Sequence, residues 1–585
     1  MMTEDLLMNF VIRKTKNKEL MYIQRSFRKD GKSLTKNVEK LGDLEVFMKE
    51  KNMSRDEVIE WGRKRAKELT LKQKEETREI LVRFYQDKLI GRYEMRSFSG
   101  GYLFIQKLYY DMNFPNIFRN ISSRHKFEYD LNAIFSDLLF ARLLDPGSKL
   151  SSYETSKSFL EPPRYQLHDL YRALSVLAEE IDYIQSEIYK NSNLIIKRDR
   201  KILYYDCSNF YFEIETEDED GLRKYGKSKE HRPNPIIQMG LFMDSDGIPL
   251  GFCLFDGNEN EQKSLIPLEK EIIENYGLDK VIVCSDAGLS GYDNKFFNSR
   301  SNKAYITTQS LKKLKKQEKE WALKDEDWFV LSSGERYKGS INDLKAADDI
   351  LLYKEDPYPH RSIKDQRLII TYSSKYAAYQ RSIREKQIER ARKMIDNDSI
   401  RKGRNLNDPR RFIRKTATTI NGEVANQDHY ELDEQAIAQE AKYDGFYGIV
   451  TVLEDEVQDI IKVAEGRWEI EESFRIMKTD FEARPVYLSR QDRIRAHFLI
   501  CYTALFFLRI LEHKTKHLFT ADQLIKTLRS FRFLKIDEGY LPEYTRDDIT
   551  DKLHEIFGFR TDYQLIRPSK MRNIIKNTKL KTKKE

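Results

Sequence analysis

The run Lys280 to Asp286, KVIVCSD, constrains the fold more than any other stretch. It is almost wholly apolar before its terminal acid, the pattern of a central strand covered on both faces. Covering both faces requires helices on the sheet, which points to an α/β domain. Three further short runs rich in β-formers precede it, KILYYD, FYFEIE and PIIQMGLFMD. They are separated by polar turns that include Asp244-Ser245-Asp246-Gly247 and Asp256-Gly257-Asn258. A mixed sheet beginning near Lys201 is the economical reading.

The rest of the chain divides around that sheet. Residues 1–95 open with a predicted hairpin, MYIQRSF then KNVEKLG across Lys29-Asp30-Gly31-Lys32, followed by a charged helical stretch from about Ser54 to Tyr93. Residues 96–200 read as mostly helical, a DNA-binding or linker region, with Leu131 to Leu144 apolar at helical spacing and a break at Asp145-Pro146-Gly147. Residues 201–300 form the first part of the α/β core. Residues 301–462 are strand-rich (KAYITT, DWFVLS, DILLY, RLIITYS, GFYGIVTVL) and read as a mainly β insertion carrying a basic helix from about Lys375 to Ile395. Helices close the core over 463–530, and 531–585 is a basic C-terminal region.

At 585 residues the chain holds more than one core, and 40% hydrophobic with 34% charged residues describes a globular protein. Four widely spaced cysteines without a CxxC pair suggest neither a disulfide framework nor a zinc site, and a reducing cytoplasm fits. The longest apolar run, Phe498 to Leu508, is too short for a membrane span and reads as a buried helix. MMTEDLLMNF has acids where a signal peptide has bases. Net charge is only +8, but Lys375 to Lys415 has 14 Lys or Arg against 5 Asp or Glu, and Arg567 to Glu585 has 8 against one. Such runs serve as solvated faces or as phosphate contacts.

Three acids stand where chemistry could occur. Asp206 and Asp286 each end an apolar strand, and ligands of α/β sheets gather at the carboxyl ends of strands. Two such carboxylates brought together would repel unless a divalent cation neutralised them. The third acid is on a predicted helix, Arg467 to Lys478. At about 100° per residue, Arg467, Glu471 and Lys478 fall within roughly 40° of one another beside an apolar stripe of Ile470, Phe474, Met477 and Phe481. A carboxylate flanked by bases suits a site for a metal and a phosphate together. Asp206, Asp286 and Glu471 could hold two Mg²⁺ or Mn²⁺ ions for phosphoryl transfer. On the residues alone, helix-capping acids and a solvated helix face remain open readings.

Asp206-Cys207-Ser208 with Phe210-Tyr211-Phe212, then Ser285-Asp286-Ala287-Gly288, then the 467–478 segment, resemble the DDE transposases of bacterial insertion sequences. The branch is the one with a YREK signature: Tyr, two residues, Arg, three residues, Glu, six residues, Lys. Arg467, Glu471 and Lys478 match that spacing, while Ala464 occupies the tyrosine position. The resemblance covers about residues 100 to 515. It implies a ribonuclease-H-like catalytic domain with a β-rich insertion, Asp206, Asp286 and Glu471 as catalytic metal ligands, and double-stranded DNA as partner. It also implies a homodimer bridging two DNA ends, and a bacterial cytoplasmic, nucleoid-associated setting with no membrane partner. Expected DNA contacts are Arg467, Trp468, Arg475 and Lys478, with Lys227, Lys229 and Arg232 from the loop KSKEHRP. For Trp468, packing against the insertion competes with stacking on a displaced base. A structure-selective nuclease and a catalytically decayed DNA-binding relative are the alternative functions.

Overall fold

The structure, a computed structural model, describes residues 8–15, 18–29, 32–76, 82, 84, 86–278, 280–397, 408–418 and 424–582. The chain forms two compact units, Met1–Glu94 and Met95–Glu585.

In the first unit, β1 (Met8–Lys14), β2 (Glu19–Lys29) and β3 (Lys32–Asp43) form an antiparallel sheet in that order. The β2–β3 register runs out to Lys29↔Lys32, while Asp30 and Gly31 of the expected hairpin turn lie outside the described residues. Helices α1 (Leu44–Lys51) and α2 (Arg55–Glu76) follow, with Met21, Leu44 and Val58 in one small core. The expected helix to Tyr93 is too long. The described residues between 82 and 93 are turns and irregular chain, and Leu89, Ile90 and Tyr93 are exposed, so no packed face supports a helix there.

The second unit opens with β4 (Ser97–Ser99) and six helices: α3 (Tyr102–Asp111), α4 (Phe114–Ser122), α5 (Leu131–Leu144), α6 (Lys149–Lys157), α7 (Leu167–Glu179) and α8 (Ile181–Ser192). The sheet begins with β5 (Ile202–Tyr211), β6 (Ile236–Asp244) and β7 (Pro249–Asp256) as an antiparallel meander. After α9 (Leu265–Tyr276), β8 (Val281–Ser285) returns parallel to β5. After α10 (Tyr292–Phe297), β9 (Lys303–Gln309) pairs parallel with β8.

Here the expected domain boundary fails. Beyond α11 (Lys316–Leu323), the strands β10 (Phe329–Val330), β11 (Leu351–Pro357), β12 (Arg367–Ser373) and β15 (Phe446–Thr451) join the same nine-stranded sheet, in the order β10-β11-β12-β15-β9-β8-β5-β6-β7. The block 301–462 is therefore not a separate β domain. It supplies the last parallel strand and then four antiparallel strands that satisfy the free edge of β9. Only the ribbon β13 (Ile413–Thr418) and β14 (Val424–Leu432) forms its own sheet, between α12 (Ser374–Asp396) and α13 (Glu434–Ala441).

The chain closes with α14 (Val457–Glu465), α15 (Trp468–Thr479), α16 (Gln491–Lys514) and α17 (Ala521–Ser530). By length and composition α16 could cross a membrane, with mean hydropathy 1.6, but 94% of its apolar window is buried inside the protein. It packs on α5, α7, α8 and β7. The expected basic C-terminal region is instead part of this core. β16 (Arg532–Ile536) pairs with both β4 and β17 (Gly539–Pro542), and α18 (Asp548–Phe557) and α19 (Pro568–Thr578) pack on α3. The bases of α19 masked an apolar face: Met571, Ile574 and Ile575 are buried. Residues 96–200 share that core, so they are not a linker.

Candidate active site

The parallel register of β5 and β8 brings the two aspartates together. The pairing climbs from Ile202↔Ile282 to Tyr205↔Ser285, so Asp206 and Asp286 each follow directly on the last paired residue, near enough for the Asp286 charge to act on Asp206. Asp206 does not end its strand, as expected, because β5 outruns β8 and stays paired with β6 to Tyr211↔Ile236. Asp206 is thus mid-strand at the point where its parallel neighbour leaves the sheet. Asp286 starts the following turn, its Oδ1 accepting from Leu289 N (3.0 Å) and its carbonyl from Thr307 Oγ1 (3.1 Å).

Among the described residues, neither aspartate has a Lys, Arg or His nitrogen within 4.0 Å. Burial, and then the Asp286 charge, push the Asp206 carboxyl up to about 6, while Lys229 and Arg467 pull the other way. Lys229 is close but committed: its Nζ donates to Cys207 O (2.6 Å) and lies 3.0 Å from Glu261.

Helix α15 brings the third acid. Ile470, Phe474, Met477 and Phe481 are buried as the stripe predicts, and the helix packs on β5. Its start is fixed from the far side. The β6–β7 turn bends at Gly247 (φ +69°), where a Cβ would collide with the Glu469 carboxylate. Arg509 of α16 donates to Ser473 Oγ (2.8 Å), Glu472 Oε2 (3.1 Å) and Glu469 O (3.2 Å), and its Nη1 bonds Glu512 (2.9 Å). The sequence reading missed Arg509, although a base inside an apolar run needs acidic partners and so announces a tether.

Arg467 caps α15 and pairs with Glu471 at 2.9 Å. Burial alone would lower the Arg467 pKa, but Tyr447, Glu471, Asp206 and Asp286 hold it above the ordinary value. Burial and then Lys229 push the Lys478 ammonium down to about 8. Its Nζ is 3.6 Å from Glu230, which also pairs with Arg484, and lies over the Phe210 ring at 5.5 Å. Glu230, Glu261 and Arg484 carry part of the site's charge and escaped the sequence reading.

The structure therefore groups Asp206, Asp286, Arg467, Lys478 and Lys229, with Glu471 joined through Arg467. The other expected contacts stand apart. Arg475 turns along its own helix to Glu472 and Asp480, each at 3.5 Å. Arg232 covers the Tyr211 ring at 4.3 Å, and the Lys227 side chain is exposed. Trp468 is 58% exposed, which overturns the expectation that it packs against the insertion. Ala464 is half-buried in α14, against the main core. Cys207 is buried with its Sγ 3.3 Å from Tyr205 Oη, and burial pushes its thiol up, away from reactivity.

Residues 211–507 match the family model of the transposase DDE domain. The chain belongs to that family. Asp286, Arg467, Glu471 and Lys478 of the transposase lie inside the matched segment, and Asp206 lies just before it. A solved structure of piggyBac transposase, in a synaptic complex with hairpin DNA, is similar at 8% identity and a TM-score of 0.34, over 82% of this chain and 84% of that one. A comparison with curated proteins finds no match.

Proposed function

We propose that this transposase cuts DNA at the ends of an insertion sequence by metal-dependent hydrolysis, and joins the freed 3′ hydroxyl to target DNA. The observation that carries the proposal is that Asp206 and Asp286 follow directly on the last parallel pair, with no Lys, Arg or His nitrogen within 4.0 Å of either among the described residues, and with Arg467, Lys478 and Lys229 around them. The antiparallel meander β5–β7 followed by parallel β8 and β9 supports a ribonuclease-H-like core.

The donor set fits Mg²⁺ or Mn²⁺. Carboxylate oxygens are hard ligands, and a divalent cation would offset both causes that raise the Asp206 pKa, burial first and then the Asp286 charge. Asp206 and Asp286 would hold the cations, with Glu471 as third ligand. Two such ions, when bound, supply an activated water or 3′ hydroxyl and offset charge on the leaving oxygen.

The chain's own residues do the positioning. Arg467 presents a fork to a backbone phosphate, and a phosphate taken there would release Glu471 from its 2.9 Å pair toward the aspartates. Lys478 and Lys229 add point charges on the other side of Asp206. Trp468, exposed at the start of the same helix, would stack on a displaced base. Lys227, Arg232 and Arg475, which stand apart from the acids, would add phosphate contacts farther along the DNA. Partners are double-stranded DNA and a second copy of the chain in the DNA complex, in the bacterial cytoplasm at the nucleoid.

The test is a nicking assay on DNA carrying the element's terminal repeats. Cleavage that requires Mg²⁺ or Mn²⁺ and falls to background in Asp206→Asn, Asp286→Asn and Glu471→Gln supports the proposal. Undiminished cleavage in any of the three overturns that residue's role.

A further inference from the structure

Between α3, α5, α7 and the loops that precede α5 and α7 lies a cleft of about 1480 Å³, built from residues that play no part in the acid site. Its walls are aromatic. Phe127 and Tyr129 stack on each other at 4.5 Å with an 8° interplanar angle, and Tyr102 and Tyr165 line the interior.

Its polar groups are unevenly matched. Several lining acids are committed: Asp130 accepts from Ala133 N (2.9 Å), Asp169 from Gln166 N (3.0 Å), and Glu161 pairs with Lys579 (2.6 Å). Glu128 remains on the rim and Asp137 inside. Lys126, Arg164 and Arg172 are exposed on the rim and, among the described residues, have no carboxylate within 4.0 Å. Three rim bases thus stand without an ion-pair partner, beside the exposed carboxylates Glu128 and Asp130. Inside, Tyr102 is 2% exposed, and its hydroxyl makes no hydrogen bond of full geometry among the described residues, with only the Glu161 backbone beside it. An unsatisfied buried hydroxyl is costly unless something else bonds it. Asp137 accepts from Tyr165 Oη at 3.0 Å. Burial pushes its carboxyl up to about 7, so near neutrality it is able both to donate and to accept.

One ligand class meets all of these needs at once: a flat heteroaromatic ring with polar edges, tied to an anion. We propose that the cleft is a nucleotide site, in which Phe127 and Tyr129 stack on the base, Tyr102 and Asp137 bond its edge, and Lys126, Arg164 and Arg172 hold its phosphate. The nucleotide is either free or an unpaired residue of a DNA strand.

Photo-crosslinking of the full chain in EDTA separates the cases without any cleavage, so failure of the acid site would not affect the result. Two probes are used, 5-iodo-dUMP and a single-stranded oligonucleotide with one 5-iodouracil, and adducts are mapped by peptide mass spectrometry. Adducts on the 125–130 or 159–165 segments are expected. They should fall about tenfold or more in Arg164→Gln/Arg172→Gln, whose exposed side chains carry no fold. Tyr102→Phe, which keeps the shape, should weaken the same adducts. Labelling by the mononucleotide assigns a free nucleotide, and labelling by the oligonucleotide alone assigns a strand. No adduct in either segment with either probe, or adducts indifferent to the double substitution, would overturn the site.

Discussion

Two carboxylate clusters in this molecule differ in an instructive way. Asp551, His554 and Asp562 present ligand atoms all within 4.8 Å of one another, the one such trio among the described residues. By distance alone it is the better metal site. Yet Arg560 pairs with both acids at 2.5 Å, Arg546 with Asp551 at 2.9 Å, and His554 Nε2 accepts the Thr561 N–H at 3.1 Å. Burial pushes the His554 imidazole down to about 4, so it is neutral near pH 7. That cluster is balanced and serves to join α18 to the chain after it. Asp206 and Asp286 are the reverse: both follow the last parallel pair at the sheet end, without a Lys, Arg or His nitrogen within 4.0 Å among the described residues. Unmet charge, rather than close approach, distinguishes a site that expects a ligand.

The largest expected effect breaks the comparison most directly. Asp206→Asn or Asp286→Asn should cut DNA cleavage about a thousandfold, since a lost metal ligand removes several kcal/mol of transition-state stabilisation at 1.36 kcal/mol per decade. Neither should lower the melting temperature. Asp562→Asn should do the opposite, losing about 1–2 kcal/mol of stability on urea titration while cleavage persists.

Arg509 sharpens the contrast, because Glu472 and Glu512 are balanced acids whose partner can be removed. Arg509→Met strands the buried Glu512, and the cost should be about 3 kcal/mol in chemical denaturation. Smaller still is cation binding. Ca²⁺ at a hundredfold over its Kd should stabilise the wild type by about 2.7 kcal/mol, seen as a raised Tm. The shift should vanish in Asp206→Asn/Asp286→Asn and persist in Asp562→Asn.

Asp137 is a largely buried acid with no ion-pair partner within 4.0 Å among the described residues, and it should titrate. Its folded pKa, about 7, lies above the ordinary 3.8. The stability it contributes is complete below pH 3.8 and is lost as pH rises through 7. Asp137→Asn should thus be more stable than wild type at pH 8, by on the order of 2 kcal/mol, with the gap closing toward pH 4. Thermal melts at the two pH values check it.

Local pattern was legible and long-range pairing was not. The stripe Ile470, Phe474, Met477, Phe481 could be read as a buried helix face because helical periodicity is local. The apolar run before Asp286 likewise announced β8. Nothing local says that β9 pairs beside β8, or that strands from 351 to 451 extend the same sheet, because strand order is decided by edges that must be satisfied far along the chain. Asp206 was misplaced at a strand end for the same reason: where β5 stops depends on β6. In α19, charge hid an apolar face that only packing on α3 uses. In the site, Glu261, which pairs with Lys229, gave no pattern by which to associate it with β8 or α15.

The central claim is that Asp206 and Asp286 hold divalent cations while the tighter trio does not. Anomalous diffraction from crystals soaked in Mn²⁺ tests it in one experiment. The account predicts manganese density between Asp206 and Asp286 and none at Asp551 and Asp562. Density at the latter pair alone, or none at the former under conditions where the protein cuts DNA, would contradict it.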